Sequence, residues 1–417
     1  MQIFQLTPKL YIDDEPINNL EHELKSQDFK HIFIVCSSSG FSSLALNETI
    51  DIIKKLKIQY FIYQIENNVV DANEVFEVSI LFEKKKSNLI IAIGGNKAID
   101  FAKVLAIYTP NKSLHHSVWH YMNDPAVLKT TAYPVVSIPL TFTTGSCSNG
   151  LSIVYNHQKE IAQGVISFTS IPSIVIFDEK YLKSINNKQL NEHFLYIILN
   201  CLNNILNFEE ENWYWTNNYN YCNLISIIRA IITLKQNLNH KESWNILMIA
   251  SYFNGSNLSK FNNKFSYDLL SLFLGINGFL RLDYTYLINQ LFFAYCEEKS
   301  NINQAFKDNI IKLNKKMFNK DFDTLNELKS YLHKFIEFNE NNFYLNNKQL
   351  INNMIEKAII QYQKNYLDAL DINKEKYQEL QDKATILFTK VIYKFFKEEK
   401  YWPNFKSYQH ILLEKIL

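Results

Sequence analysis

A two-domain chain is predicted: an N-terminal α/β domain on a mostly parallel sheet (residues 1–182) and an all-helical C-terminal domain (183–417). Three observations carry this. Up to about residue 182, short β-rich runs alternate with amphipathic helical patterns. Those runs are apolar along nearly their whole length, as strands of a parallel sheet covered on both faces must be. Seven of the eight prolines lie at or before Pro172 and the eighth is Pro403, and the proline-free stretch between carries helical periodicity.

The candidate strands, in order, are HIFIVC (31–36), IQYFIYQI (58–65), LIIAIG (89–94), PVVSIPL (134–140), LSIVYN (151–156) and SIVIFD (173–178). Between the first three lie NETIDIIKKLK and ANEVFEVSILFEKKK, with apolar residues at helical spacing. Beyond residue 182, LISIIRAIITLKQNL and IEKAIIQYQKNYLDAL read as helices. A ligand cleft is expected between the two domains. No internal repeat is found, and the Asn/Lys-rich patches from 301 to 350 read as solvated helix faces and loops.

Composition narrows the function classes. Hydrophobic residues make up 47% of the chain, enough for ordinary globular cores. The formal charge of +1 provides no basic field for a nucleic-acid partner. No uncharged apolar run reaches membrane-spanning length; LISIIRAIITL is interrupted by Arg229. Lys9, Asp13, Asp14 and Glu15 break up the N-terminal region, so no signal peptide is expected there. The five cysteines are scattered and form no C-x-x-C, which fits a reduced, cytoplasmic protein without a thiolate metal site. A homodimer is compatible with all of this.

Glycine is scarce, with nine in 417 residues, so each one retained is informative. In LIIAIGGNKAID a buried strand breaks into a helix through Gly94 and Gly95. Backbone N–H groups at a helix N-terminus carry partial positive charge and lack internal partners, which suits a pyrophosphate. Lys97 would add charge, and Asn96 sits between. Taken alone, a tight βα turn gives the same pattern. The second motif, SIPLTFTTGSCSNGLSIVY (137–155), is a strand, a hydroxyl-rich loop and another strand. Thr141, Thr143, Thr144 and Ser146 surround the permissive Gly145.

At these motifs the chain resembles the iron-containing alcohol dehydrogenases, which share a fold with dehydroquinate synthase and glycerol dehydrogenase. The family's G-G-G-S-x-x-D-x-x-K loop is similar to Gly94–Lys103, with Asp100 and Lys103 matching. Its P-T-T-x-G-T-G-S-E loop resembles Pro139–Cys147, and IPSIVIFDEKYLKSI (171–185) resembles the P-x-x-V-I-x-D-P-x-L-x-x-S-L that follows. VCSSSGFSSLA (35–45) points to the branch containing phosphonoacetaldehyde reductase. The resemblance implies an oxidoreductase interconverting a small alcohol and its aldehyde or ketone with NAD(P)H. The pyrophosphate would lie on Gly94, Gly95, Asn96 and Lys97, and the nicotinamide end near Thr141, Thr144 and Ser146. Many NAD-using relatives place an acidic residue against the ribose at the end of the first strand. Here Ser37, Ser38 and Ser39 stand there, so NADPH is as acceptable as NADH.

One departure changes the chemistry. The family polarises the substrate oxygen with a divalent metal held by an Asp and a His four residues apart and by two later histidines. No aspartate occurs between Asp178 and Asp268. The matching pair falls on Asn200 and Asn204, or on Asn203 and Asn207 if the helix is shifted by a turn. NNKFSYDLL puts Asn263 at the third position, and GINGF puts Asn277 at the fourth. Carboxamides are poor ligands for Fe²⁺ or Zn²⁺, so neither metal is expected. The third glycine of the phosphate loop is Asn96, and the acidic residue of the second loop is Cys147. An alternative is a catalytically degenerate member that keeps the fold to bind a nucleotide or to serve a structural or regulatory role. No catalytic residue is assigned.

Four rival features have ordinary readings. His116 and His120 could chelate a metal if helical, with His115 beside them, but no third ligand lies nearby. Glu192 and His193 are adjacent, so on a helix they point apart. The cluster NWYWTNNYNY (212–221) lacks interleaved basic residues and reads as packing. Cys147 has no sequence-adjacent histidine to activate it.

Overall fold

The computed structural model describes residues 8–12, 14–27, 29–112, 118, 132–156, 158–207, 214–260, 267–280, 284–337, 348–369 and 372–396. Strands β1 (Lys9–Tyr11), β2 (His31–Cys36), β3 (Gln59–Gln64), β4 (Leu89–Gly94), β5 (Val135–Pro139) and β8 (Ile174–Ile176) form one sheet in the order β1-β8-β5-β4-β2-β3. Every pairing in it is parallel. Strands β6 (Leu151–Asn156) and β7 (Ile161–Ile166) form a separate antiparallel hairpin. LSIVYN is therefore a strand, but it lies outside the main sheet.

The helices of the first half are α1 (Asn18–Ser26), α2 (Ser38–Phe41), α3 (Leu44–Lys55), α4 (Ala72–Lys84) and α5 (Asn96–Asn111). Side-chain caps start three of them, α2 at Ser37, α3 and α4. Ser43 caps α3 by accepting from Leu46 N, and Asp71 caps α4 by accepting from Asn73 N and Glu74 N. Helix α5 begins at Gly95 with no side-chain cap.

Strand alternation sorts the core into two faces. Ile32, Ile34 and Cys36 of β2 and Leu89, Ile91 and Ile93 of β4 pack with Leu20 of α1 and with Ala45, Leu46 and Ile53 of α3. Phe33, Val35, Ile90 and Ala92 face the other way, onto Phe82 of α4 and Phe101 of α5. The chain thus leaves β2 over one face and β4 over the other. That reversal puts the topological switch point between the C-terminal ends of β2 and β4, where open α/β sheets receive ligands.

After β8 every described element is helical: α6 (Glu179–Leu182), α7 (Asn187–Leu206), α8 (Tyr214–Gln236), α9 (Lys241–Lys260), α10 (Tyr267–Leu280), α11 (Tyr284–Ser300), α12 (Gln304–Phe318), α13 (Asn326–Leu332), α14 (Lys348–Asn365) and α15 (Lys374–Phe395). The last strand of the main sheet ends at Ile176, and helices follow from Glu179. The apolar core does not stop there, because Phe142, Val154, Ile197, Leu247, Phe273 and Phe388 belong to the same buried cluster as the α4–α5 face of the sheet. Among the described residues no helix is long and apolar enough to cross a membrane.

Candidate functional site

Three loops meet at the switch point. The first follows β2, where Ser37 Oγ accepts from Gly40 N at 3.1 Å and lies 3.0 Å from Ser39 Oγ. Ser38 is exposed on α2. The second is the turn at Gly94, whose φ is +152°. A Cβ there would lie 2.5 Å from Ser37 Oγ and 2.8 Å from Ala98 Cβ, so only glycine lets the two strand ends touch. Gly95 follows, and a Cβ on it would come within 3.3 Å of Thr141 Cγ2. The bare start of α5 is therefore bordered by the third loop, residues 141–146.

That third loop is held from below and behind. Lys103, one turn from Asp100 on α5, has a fully buried side chain and pairs with Asp100 Oδ1 at 3.0 Å. Its ammonium also donates to Ser146 Oγ at 2.7 Å, to Ser146 O at 3.1 Å and to Leu151 O. Asp100 in turn accepts from Ser146 Oγ and, at 3.4 Å, from Ile153 N. Burial pulls the Lys103 pKa below that of an ordinary lysine, with the Asp100 charge opposing. From behind, Gly145 takes a left-handed conformation (φ +63°), and a Cβ on it would lie 2.6 Å from Gly255 Cα. The loop backbone and α9 are in direct contact there. Ser148 Oγ donates to Tyr252 O at 2.6 Å and secures the same contact.

Asn96 joins the second loop to the third. Its side-chain oxygen accepts from the Thr144 hydroxyl, and its Nδ2 donates to Thr143 Oγ1 at 3.4 Å. Thr144 Oγ1 also accepts from Ser146 N at 3.2 Å. Lys97 Nζ reaches the other way, to Asn67 O at 3.0 Å. Cys147 is buried, and burial pushes its thiol up to about 12 against the opposing charge of Lys103. A thiol so protonated at neutral pH is no nucleophile.

Residues 7–179, the whole sheet region, match the family model described as iron-containing alcohol dehydrogenase. Over that stretch the chain is similar to that family. By sequence it is 23% identical to alcohol dehydrogenase 4 of Saccharomyces cerevisiae over 177 residues, 42% of this chain. The chain spans 45% of the length of that relative. Its fold is shared over nearly its full length. The NADH-dependent butanol dehydrogenase A of Thermotoga maritima superposes with a TM-score of 0.76 at 15% identity, covering 92% of this chain and 98% of that one. An iron-containing alcohol dehydrogenase from Thermococcus thioreducens gives 0.71 at 14% identity, covering 95% and 100%.

Asn200 and Asn204 lie one turn apart on α7, only 8% and 9% exposed. Their side-chain nitrogens are shut off from solvent and meet no hydrogen-bond partner among the described residues. The alternative pair differs in kind. Asn207 Nδ2 donates to Asn203 O at 3.0 Å and to Asn203 Oδ1 at 2.9 Å, and Asn207 Oδ1 accepts from Lys299 at 2.9 Å. Asn203 and Asn207 close the C-terminal end of α7. Asn277, fully buried in α10, donates to the Tyr155 hydroxyl of the β6–β7 hairpin. Asn263 falls outside the described residues, as do His115, His116 and His120. Among the described residues, no group of three His, Cys, Asp or Glu side chains could hold a metal ion.

His193 stands edge-on to Phe142 of the third loop, with centroids 5.7 Å apart. Burial pulls its pKa down to about 4, so the ring is neutral. Among the described residues its buried Nδ1 meets no hydrogen-bond partner. In the aromatic cluster, Tyr219 packs on Phe253 at 5.4 Å and Lys316 Nζ sits 3.9 Å over the Tyr221 ring. The side chains of 212–218 lie outside the described residues. Sequence reasoning missed Phe142, Tyr155 and the loop-holding role of Lys103. It could have found Gly255, one of nine glycines kept in a glycine-poor chain.

Proposed function

We propose that this chain binds NADH or NADPH across the C-terminal ends of β2, β4 and β5 and acts as an alcohol dehydrogenase-type oxidoreductase on a small alcohol or aldehyde, without the family's metal. The observation that carries the reading is the bare Gly94–Gly95 turn opening an uncapped sixteen-residue helix beside the Thr141–Ser146 loop. An anion at that helix start meets oriented N–H groups and the favourable end of the helix dipole. Gly94, Gly95, the backbone N–H of Asn96, and Lys97 would hold the pyrophosphate, and Thr141 would border it. Ser38 and its neighbours would face the adenosine ribose without a carboxylate, which leaves a 2′-phosphate tolerated. Thr144 and Ser146 would act near the nicotinamide end, Ser146 chiefly by fixing the loop through Asp100 and Lys103. The dinucleotide, when bound, supplies the hydride donor or acceptor.

The family's divalent metal does not fit the residues at its ligand positions. Asn200, Asn204 and Asn277 offer carboxamides where carboxylate and imidazole are needed, and Asn277 already donates to Tyr155. The same carboxamides favour a second reading, a nucleotide-binding member that has lost turnover. A division into 1–182 and 183–417, a reduced cytoplasmic setting, a homodimer and nearness to the phosphonoacetaldehyde reductase branch complete the proposal.

Titrating NADH and NADPH by fluorescence tests binding, and no binding at millimolar cofactor overturns both readings. Oxidation of the bound reduced cofactor by small aldehydes separates them. Cofactor oxidation dependent on aldehyde supports the oxidoreductase; binding without it supports the second reading.

A further inference from the structure

The loops on either side of the α5 N-terminus are fastened to each other by one side chain. Asn96 is the first residue of α5, and its carboxamide reaches two loop residues beyond β5. Both its polar atoms are engaged, the oxygen by the Thr144 hydroxyl and the nitrogen by Thr143 Oγ1. Thr144 is closed on itself in the same way, because it donates to Asn96 and accepts from Ser146 N. The hydroxyl that would serve a ligand is thus already paired within the protein.

We infer that Asn96 is a latch that sets cofactor affinity: its bridge to Thr143 and Thr144 closes the helix start against the third loop, and a dinucleotide must break it to bind. The inference rests on the proposed nucleotide site. Its physical basis is a competition between two uses of the same groups. An anion on the first turn of α5 needs that turn uncovered. The bridge runs from the first residue of the turn to the loop opposite. A ligand that displaces it loses the protein's own hydrogen bonds before forming new ones, so its apparent affinity is reduced by the fraction of molecules with the latch open. The bridge is made by Asn96 and its two threonine partners, while Lys97 Nζ donates to Asn67 O at 3.0 Å.

The test is a fluorescence titration of NADH and NADPH against the wild-type chain, Asn96→Gly, Thr144→Val and the double variant, with circular dichroism to establish that each is folded. Opening the latch should tighten binding of at least one cofactor by roughly tenfold, the worth of one or two net hydrogen bonds. Because both substitutions remove the same bridge, their effects should fall well short of additive. A glycine that merely loosened the helix start would not show that coupling. Unchanged or weaker binding in folded Asn96→Gly overturns the latch and leaves the nucleotide site standing. No binding by any of the four proteins overturns the nucleotide reading and the latch together.

Discussion

Lys103 Nζ lies 3.0 Å from Asp100 Oδ1 with no solvent reaching the lysine side chain, and the pair holds Ser146 between them. A buried ion pair of this kind contributes little net stability against an apolar replacement of the same shape. Removing one partner is different, because the other charge is left buried and uncompensated. Lys103→Met should cost about 3–5 kcal/mol in urea unfolding, and Asp100→Asn/Lys103→Met clearly less. A single variant no worse than the double would show that the pair does not hold the loop.

His193 gives the pH dependence a direction. Its folded pKa, near 4, lies below the ordinary value of 6.5 because burial penalises the charged ring. Below pH 6.5 the unfolded chain binds a proton that the folded chain refuses. Stability is therefore retained above that value and lost as the pH falls toward 4, by up to about 3 kcal/mol. His193→Phe keeps an aromatic edge against Phe142 and removes the titration. The difference in unfolding free energy between pH 7 and pH 5 should shrink in that variant. An unchanged difference would assign the acid sensitivity to other groups.

The parts of the site read most directly from sequence are those built by neighbours along the chain. The apolar run 89–94 followed by two glycines dictates strand, turn and helix start within a few residues. The hydroxyl loop after β5 and the loss of proline after Pro172 are local signals of the same sort. What the sequence did not disclose depends on partners far apart. Lys103 meets Ser146 across 43 residues and Thr144 meets Asn96 across 48, and no spacing rule links them. Strand β7 went unread because Gln163 and Gly164 break the apolar run of IAQGVI. With β7 unseen, LSIVYN could only be counted with the strands of the main sheet. The continuous core beneath both halves escaped for the same reason, since periodicity marks a buried face but not what covers it.

The contact between Gly145 and Gly255 predicts a steric failure. A Cβ on Gly255 would stand 2.5 Å from Ser148 Oγ and closer still to the Gly145 carbonyl oxygen. The Gly145 atoms it would meet are backbone, so relief requires helix α9 and the loop to separate. Gly255→Ala should destabilise the chain by roughly 1–3 kcal/mol, as overpacking does, despite the better helix propensity of alanine. It should also weaken cofactor binding, because the third loop loses its rear support. A variant with unchanged thermal midpoint and unchanged affinity would mean that loop and helix are not in contact.

The carboxamides of α7 and α10 predict how the purified chain behaves toward metal. A tightly bound ion would stabilise the folded state by about 2.7 kcal/mol at a hundredfold excess over its dissociation constant. Asn200 and Asn204 cannot supply the negative charge or the basic nitrogen that holds Fe²⁺ or Zn²⁺ in place, and Asn277 is already bonded to Tyr155. Elemental analysis should therefore find iron and zinc far below one ion per chain. Adding either metal, or a chelator, should leave the thermal midpoint where it was. A stoichiometric ion that survives dialysis against chelator, with a midpoint that drops when it is stripped, would show that charged or imidazole ligands complete the site. It would return the chain to metal-assisted chemistry.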